Sequence, residues 1–175
     1  MSGNSGLVRR LAFSREVSVF SNVAHAIVQF SIELSLLCII LLIAGSPLLL
    51  QLPMVMFLTL LLAVFASGYA LALSVLSVYF KDLNYLWAIV TQVWFFLTPV
   101  VYGPEVLQAN VPAWGQNLIR LNPMVHFVSA YRDSLYHART PDLGKIGVLV
   151  LCALVSLVIG WSVFTRSGRR LPEEV

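Results

Sequence analysis

Residues 34–80 read LSLLCIILLIAGSPLLLQLPMVMFLTLLLAVFASGYALALSVLSVYF and contain no charged side chain. As helix this stretch would rise roughly 70 Å, about two crossings of a hydrocarbon core roughly 30 Å thick. Gly45-Ser46-Pro47 and Pro53 interrupt it, since Gly and Pro are the strongest helix stops. It therefore divides into a first span over 21–44 and a second over 53–79, joined by a tight uncharged turn. Working outward, YLWAIVTQVWFFLTPVVY at 85–102 predicts a third span, and 146–165 a fourth, closed by Arg166, Arg169 and Arg170. The expected fold class is an all-α integral membrane protein, a single transmembrane domain over 1–175 with about four spans.

Composition agrees. Of 175 residues, 59% are hydrophobic and 11% charged, with a mean hydropathy of +0.87. A soluble domain carries about 25% charged residues. The basic residues sit at span ends, where topology explains them, and no nucleic-acid partner is expected. Cys38 and Cys152 both lie inside apolar blocks and read as small packing residues rather than a disulfide or metal pair. Orientation follows from Lys and Arg. Arg9, Arg10, Arg15, Lys81, Arg166, Arg169 and Arg170 fall on one side of the predicted spans. Arg120, Arg132, Arg139 and Lys145 are spread along the other. The denser side should be cytoplasmic, with both termini there and loop 103–142 outside.

That loop holds a second helical pattern, LNPMVHFVSAYRDSLYH at 121–137. Asn122 can cap a helix and Pro123 suits its first position. Met124, Phe127, Val128, Tyr131 and Leu135 share one face, His126, Ser129, Asp133 and His137 the other, with Arg132 between. About 16 residues rise roughly 24 Å, too little to span. The segment is expected to lie at, or dip into, one membrane face.

His25, Gln29 and Glu33 recur at i, i+4, i+8 in the first span. A charge at the bilayer centre costs about 2.5–3.5 kcal/mol, so this stripe should face protein or water. It reads equally as part of a translocation path or as a polar seam against another helix. The second span carries Ala63, Ala66, Ser67, Gly68, Ala70, Ala72, Ser74 and Ser77, a composition suited to close helix packing. In the third span Tyr85, Trp87 and Tyr102 fit an interfacial belt, while Trp94, Phe95 and Phe96 lie deeper. These aromatics can face lipid or stack on sugar rings. Pro99 should kink or end that helix. The first residues, MSGNSGLVRRLAFSRE, read either as a positive-inside anchor or as an interfacial helix that touches a cytoplasmic partner.

Signals of catalysis are weak. The phosphate-binding pattern G-x-x-x-x-G-K-[ST] is absent, as are G-x-S-x-G and H-E-x-x-H. His126 with Asp133, or His137 with Asp142, could form an acid/base pair, which would suit a small membrane enzyme acting on lipid-linked sugars. No nucleophile or metal set accompanies them.

Four segments together carry a resemblance: SGLVRRLAFSREV (5–17), FKDLNYL (80–86), QVWFFLTPVVY (92–102) and LNPMVHFVSAYRDSL (121–135). In order and spacing they resemble the membrane subunit of bacterial ATP-binding-cassette exporters of polysaccharides, the family of O-antigen, capsule, teichoic-acid and galactan exporters. The family pattern usually has Pro where Ser14 stands and Arg where Lys81 stands. Family members normally carry an N-terminal amphipathic helix and two further spans, so this chain resembles their C-terminal two-thirds, a truncated product or one with a mis-assigned start. The resemblance implies export of a lipid-linked glycan or polyol-phosphate polymer across the plasma membrane. It implies a second permease copy as partner and a separate ATPase subunit that binds ATP and Mg, with no cofactor in this chain. Leu7, Arg9, Arg10, Phe13, Arg15 and Glu16 would lie on the helix that docks on that ATPase. His25, Gln29, Glu33, Trp94, Phe95, Phe96 and Tyr102 would line the channel. Asn122, Pro123, Tyr131, Arg132 and Asp133 would belong to external re-entrant helices at its mouth. The alternative is an inactive fragment or a membrane scaffold.

Overall fold

The computed structural model describes residues 4–80, 82–98, 100 and 112–168, and for 4–16, 113, 118, 167 and 168 the backbone alone. The described chain is helical: α1 (Asn4–Ile43), a 3-10 turn (Leu48–Gln51), α2 (Leu52–Tyr79), α3 (Leu83–Leu97), α4 (Ala113–Arg120), α5 (Pro123–Leu135) and α6 (Leu143–Gly168). Three stretches are long and apolar enough to cross a membrane: Val17–Ile43, Leu48–Tyr79 and Leu143–Arg166.

Boundaries follow local chemistry. Residues 7–43 contain neither Gly nor Pro, so nothing breaks α1 between the basic segment and the first span. The two form one helix of 40 residues where a separate N-terminal helix was expected. Gly45, at φ 85°, supplies the left-handed residue that closes a helix without a Cβ penalty. Ser46 N–H then bonds back to Leu41 O at 3.1 Å. Pro53 falls in the first turn of α2, where its missing N–H leaves nothing unpaired.

The third apolar block departs from the expected span at 85–102. Its helix has 15 residues and ends at Leu97, a rise of about 22 Å that is short of the hydrocarbon core. Thr98 is already extended, at φ −94° and ψ 125°. That is the conformation forced on a residue that precedes proline, whose ring clashes with a helical neighbour. The last block runs longer than the expected 146–165, from Leu143 to Gly168.

The core is the crossing of α2 and α6, the most extensively packed pair. Between membrane helices, close backbone approach and interhelical hydrogen bonds replace the hydrophobic drive. Gly68 and Gly160 face each other there. A Cβ on Gly68 would strike the Ser156 backbone, and one on Gly160 would strike the Gly68 carbonyl. Ser156 Oγ donates across the interface to Phe65 O at 2.9 Å. Leu58, Phe65, Leu149 and Ala153 fill the space beside the crossing, and α5 adds Phe127 and Ala130 to the same cluster. α1 lies along this pair: Val19 packs with Leu71, Val75 and Phe164 near one end, and Cys38 packs with Leu48, Val55 and Leu135 near the other.

Overpacking at a closed site typically costs about 1–3 kcal/mol. Gly68→Val should therefore lower the thermal unfolding temperature in detergent. Gly147→Ala, where the added methyl meets nothing within 4 Å, should leave it unchanged or slightly raised.

Candidate functional site

α5 is the element on which the polar chemistry of the chain converges. Asn122 caps it: its Oδ1 accepts the Met124 N–H at 3.0 Å, and Pro123 opens the helix. The same Oδ1 also accepts the Trp94 indole N–H from α3 at 2.7 Å. Asn122 Nδ2 donates to Thr98 Oγ1 at 3.1 Å. Thr98 spends its own proton on Trp94 O at 2.8 Å. One amide thus starts α5 and holds the end of α3, with the orientation of the amide set by the network.

A second tie runs to α2. Thr59 donates its proton to Val55 O at 2.9 Å, so at the 3.0 Å contact between Thr59 Oγ1 and the Tyr131 hydroxyl, Tyr131 is the donor. Burial pushes the Tyr131 phenol above its ordinary value, and the Thr59 bond works against that rise. The Tyr131 ring meets Phe30 of α1 edge-on at 5.9 Å. A third tie runs to α6. Lys145 Nζ donates to Asp133 Oδ2 at 2.6 Å and to Ser129 Oγ at 3.3 Å. Beyond α5, Gln51 Nε2 donates to Ala138 O at 3.2 Å, joining the turn between α1 and α2 to the segment that follows.

The buried face of α5 is Phe127, Ala130, Ser134 and Leu135, with Met124 and Tyr131 packed beside it. Val128, expected on the apolar face, lines an apolar groove together with Met124. His126 and Asp133 do not form an acid/base pair. His126 Nε2 lies 2.8 Å from Arg120 O, and Asp133 is held by Lys145. His137 stacks edge-on against Tyr136 at 5.6 Å.

The α1 stripe behaves differently. His25, Gln29 and Glu33 are all exposed, from about a quarter-turn (Glu33) to nearly a half-turn (His25) of helix away from the covered side of α1. Gln29 Nε2 donates to Glu33 Oε1 at 3.3 Å. The stripe contributes to no described core cluster.

Beside it runs a groove of about 700 Å³ between α1, α2 and α3, lined by Ala26, Phe30, Ala66, Tyr69, Trp87 and Trp94 among others. Its aromatic wall is continuous. Tyr69 lies 5.9 Å from Trp94 and 6.5 Å from Trp87, ring centre to ring centre. Phe95 lines the groove as well, and Phe96 packs on Phe95 edge-on at 5.6 Å. The threonine hydroxyls that line it are already bonded, Thr91 to Trp87 O at 2.9 Å, Thr59 to Val55 O and Thr98 to Trp94 O, and the Asn22 amide and the Tyr69 hydroxyl are further polar groups of a mostly apolar lining. The groove is an apolar surface with little hydrogen-bonding capacity to offer.

The structure thus places Asn122, Pro123, Tyr131 and Asp133 on one helix and ties Trp94 to its start through Asn122, while His25, Gln29 and Glu33 lie on the exposed side of α1. Arg132 is half-buried on the same helix. Tyr102 lies outside the described residues, as do the side chains of Leu7, Arg9, Arg10, Phe13, Arg15 and Glu16. Sequence reasoning missed Thr59, Thr98 and Lys145. The one local hint was a lone Lys at the start of a predicted span, 12 positions after Asp133, and nothing in the spacing pairs them.

The Lys145–Asp133 pair is partly open, its side chains 41% and 27% exposed. Solvent screening limits such a pair to about 1 kcal/mol or less. Lys145→Met should raise amide hydrogen exchange in residues 129–135 several-fold and leave α2 unchanged. High salt should have the same effect on the unaltered protein and little further effect on the variant.

Comparison with known proteins agrees with this architecture. Two O-antigen export system permease proteins RfbA of Klebsiella pneumoniae are 23% and 21% identical to the chain over 171 residues, 97% of this chain and 64% of each relative. An O-antigen export system permease protein RfbA of Myxococcus xanthus is 28% identical over 103 residues, 59% of this chain and 39% of the relative. The chain therefore spans a little under two-thirds of the length of the Klebsiella relatives. No solved structure matches. The model of the ABC-2 type transporter family matches residues 2–136, and on that match the chain belongs to the ABC-2 type transporter family.

Proposed function

We propose that the chain is a permease subunit that exports a lipid-linked cell-envelope polysaccharide, with a second copy of itself and a separate ATPase subunit that supplies the energy. The observation that carries this reading is the exposed row His25, Gln29 and Glu33 on α1. It falls within the apolar stretch Val17–Ile43. A carboxylate left against lipid at that depth costs about 2.5–3.5 kcal/mol, and each Leu or Ile returns only about 0.3–0.6. A second copy facing this row, with water and substrate between, removes that cost. It also supplies the hydrogen-bonding surface that a hydroxyl-rich polymer requires.

The groove at α3 suits that task less well, because its lining is mostly apolar and its threonine hydroxyls and the Trp94 indole are already bonded. This reading therefore moves the polymer path from the aromatic face of α3 to the polar face of α1. α5 then stands at the outer mouth, held against α2, α3 and α6; both termini lie in the cytoplasm, which requires the chain to cross once more between Tyr79 and Leu143, with α3 covering most of that distance. Arg9, Arg10 and Arg15 at the start of α1 would meet the ATPase, whose work would be transmitted along a helix with no break between residues 7 and 43. Relatives named as O-antigen export permeases support this choice of substrate class. The chemistry of the subunit is conformational, with ATP and Mg held by the partner.

The test is export of surface polymer in cells that carry the chain with its ATPase, at matched membrane abundance. Glu33→Leu should reduce export about tenfold or more, a change of about 1.4 kcal/mol, while Glu33→Gln, which keeps hydrogen-bonding capacity, should retain most of it. Normal export by Glu33→Leu would overturn the placement of the path.

A further inference from the structure

We infer that Asn122 is a positioning residue that makes α3 and α5 move as one body. The inference goes beyond the transport reading, because it holds whatever crosses the membrane. It begins from how shallowly α3 is covered by the other described residues. None of its residues from Leu83 to Leu97 is buried, unlike α2 and α5. Its partly covered positions are Leu83, Trp87 and Trp94, with buried Thr98 just beyond the helix end, and these fall on one stripe at helical spacing. Along that stripe two different kinds of contact meet it. Tyr69 of α2 supplies ring contacts to Trp87 and Trp94, which have no fixed donor and acceptor and can slide. Asn122 supplies two directional hydrogen bonds, from the Trp94 indole and to the Thr98 hydroxyl, at the one end of α3 where the chain leaves helical geometry.

The same amide also caps α5. A displacement of α5 therefore pulls on Trp94 and Thr98 before it disturbs the ring contacts. If α3 parted from α5, the half-buried Asn122 amide would lose its Thr98 acceptor and the Trp94 indole its acceptor at once, so the two bonds between the helices break together or hold together while the Met124 cap stays within α5. α3 accordingly follows α5, and its Tyr69 contact with α2 is the one that gives. Because α3 is one wall of the groove lined by Ala66, Tyr69 and Trp87, motion of α5 at the membrane face changes the width of that groove.

Spin-label distances on the full chain in bilayer nanodiscs test this, with Cys38 and Cys152 replaced by Ala. One pair joins α3 to the end of α5 (Val93→Cys with Tyr136→Cys), and one joins α2 to the same point (Leu60→Cys with Tyr136→Cys). Trp94→Phe and Thr98→Val should each raise a longer-distance α3–α5 population about fivefold, the scale of one lost hydrogen bond, and leave the α2–α5 pair unchanged. Asn122→Asp, which keeps the acceptor for Trp94 and Met124 but loses the donor to Thr98, should match Thr98→Val, and Asn122→Ala, which loses both bonds to α3, should loosen the α3–α5 pair further. Tyr69→Leu, which removes the ring contact, should leave the α3–α5 pair unchanged. The inference is overturned if Trp94→Phe leaves the α3–α5 distances alone, if it loosens both pairs alike, or if Tyr69→Leu frees α3 from α5 as much as Trp94→Phe does. No ATPase or polymer enters the measurement, so its failure would leave the transport reading standing.

Discussion

The close crossing of α2 and α6 is the constraint on which the rest of the structure depends. In lipid, two apolar helices gain nothing by hiding from water, and their contact must come from shape and from hydrogen bonds that lipid cannot offer. Gly68 and Gly160 remove the side chains that would hold the backbones apart, and Ser156 adds a bond to Phe65 O at the point of nearest approach. The cleft beside this crossing receives Phe127 and Ala130. α5 can sit at the membrane face only because that cleft exists and has a fixed shape.

Polar ties then orient what the cleft admits. Packing alone would let α5 roll, since a short helix with one buried face has few constraints about its own axis. Asn122 precedes Tyr131 by about two and a half helical turns, and Asp133 follows Tyr131 by about half a turn, pointing to another side of α5; the three reach α3, α2 and α6 respectively. Each bond is modest, about 0.5–1.5 kcal/mol, but three of them in three directions define one orientation. They are also weak enough to be exchanged one at a time. The long α1 contrasts with this. It packs along one side only, and its polar row is left for something outside the chain.

Much of this was legible in sequence because it is local. Gly45 announced the end of α1 and Asn122-Pro123 the start of α5, since caps depend on residues a few positions apart. The two helices of the uncharged block and the inability of α5 to span were readable from length against bilayer thickness. What escaped was long-range or depended on burying something other than an apolar side chain. Ser134 and Ala130 lie in the buried face of α5, yet a hydrophobic count passes over both. Ser156 reaches a carbonyl 91 positions away, and Lys145 finds Asp133 only because α6 begins beside α5. The continuous α1 was missed for another reason. Composition changes at its basic segment, and a change of composition is not a helix stop.

The placement of α5 at the outer mouth of an export permease is open to direct measurement. Tyr136, 73% exposed, can carry a single cysteine in a chain that lacks Cys38 and Cys152, and intact cells can be treated with a membrane-impermeant maleimide. The structure and the charge distribution together predict rapid labelling from outside, before any permeabilisation. Labelling that appears only once the inner membrane is opened would place this helix on the cytoplasmic face and contradict the proposed placement.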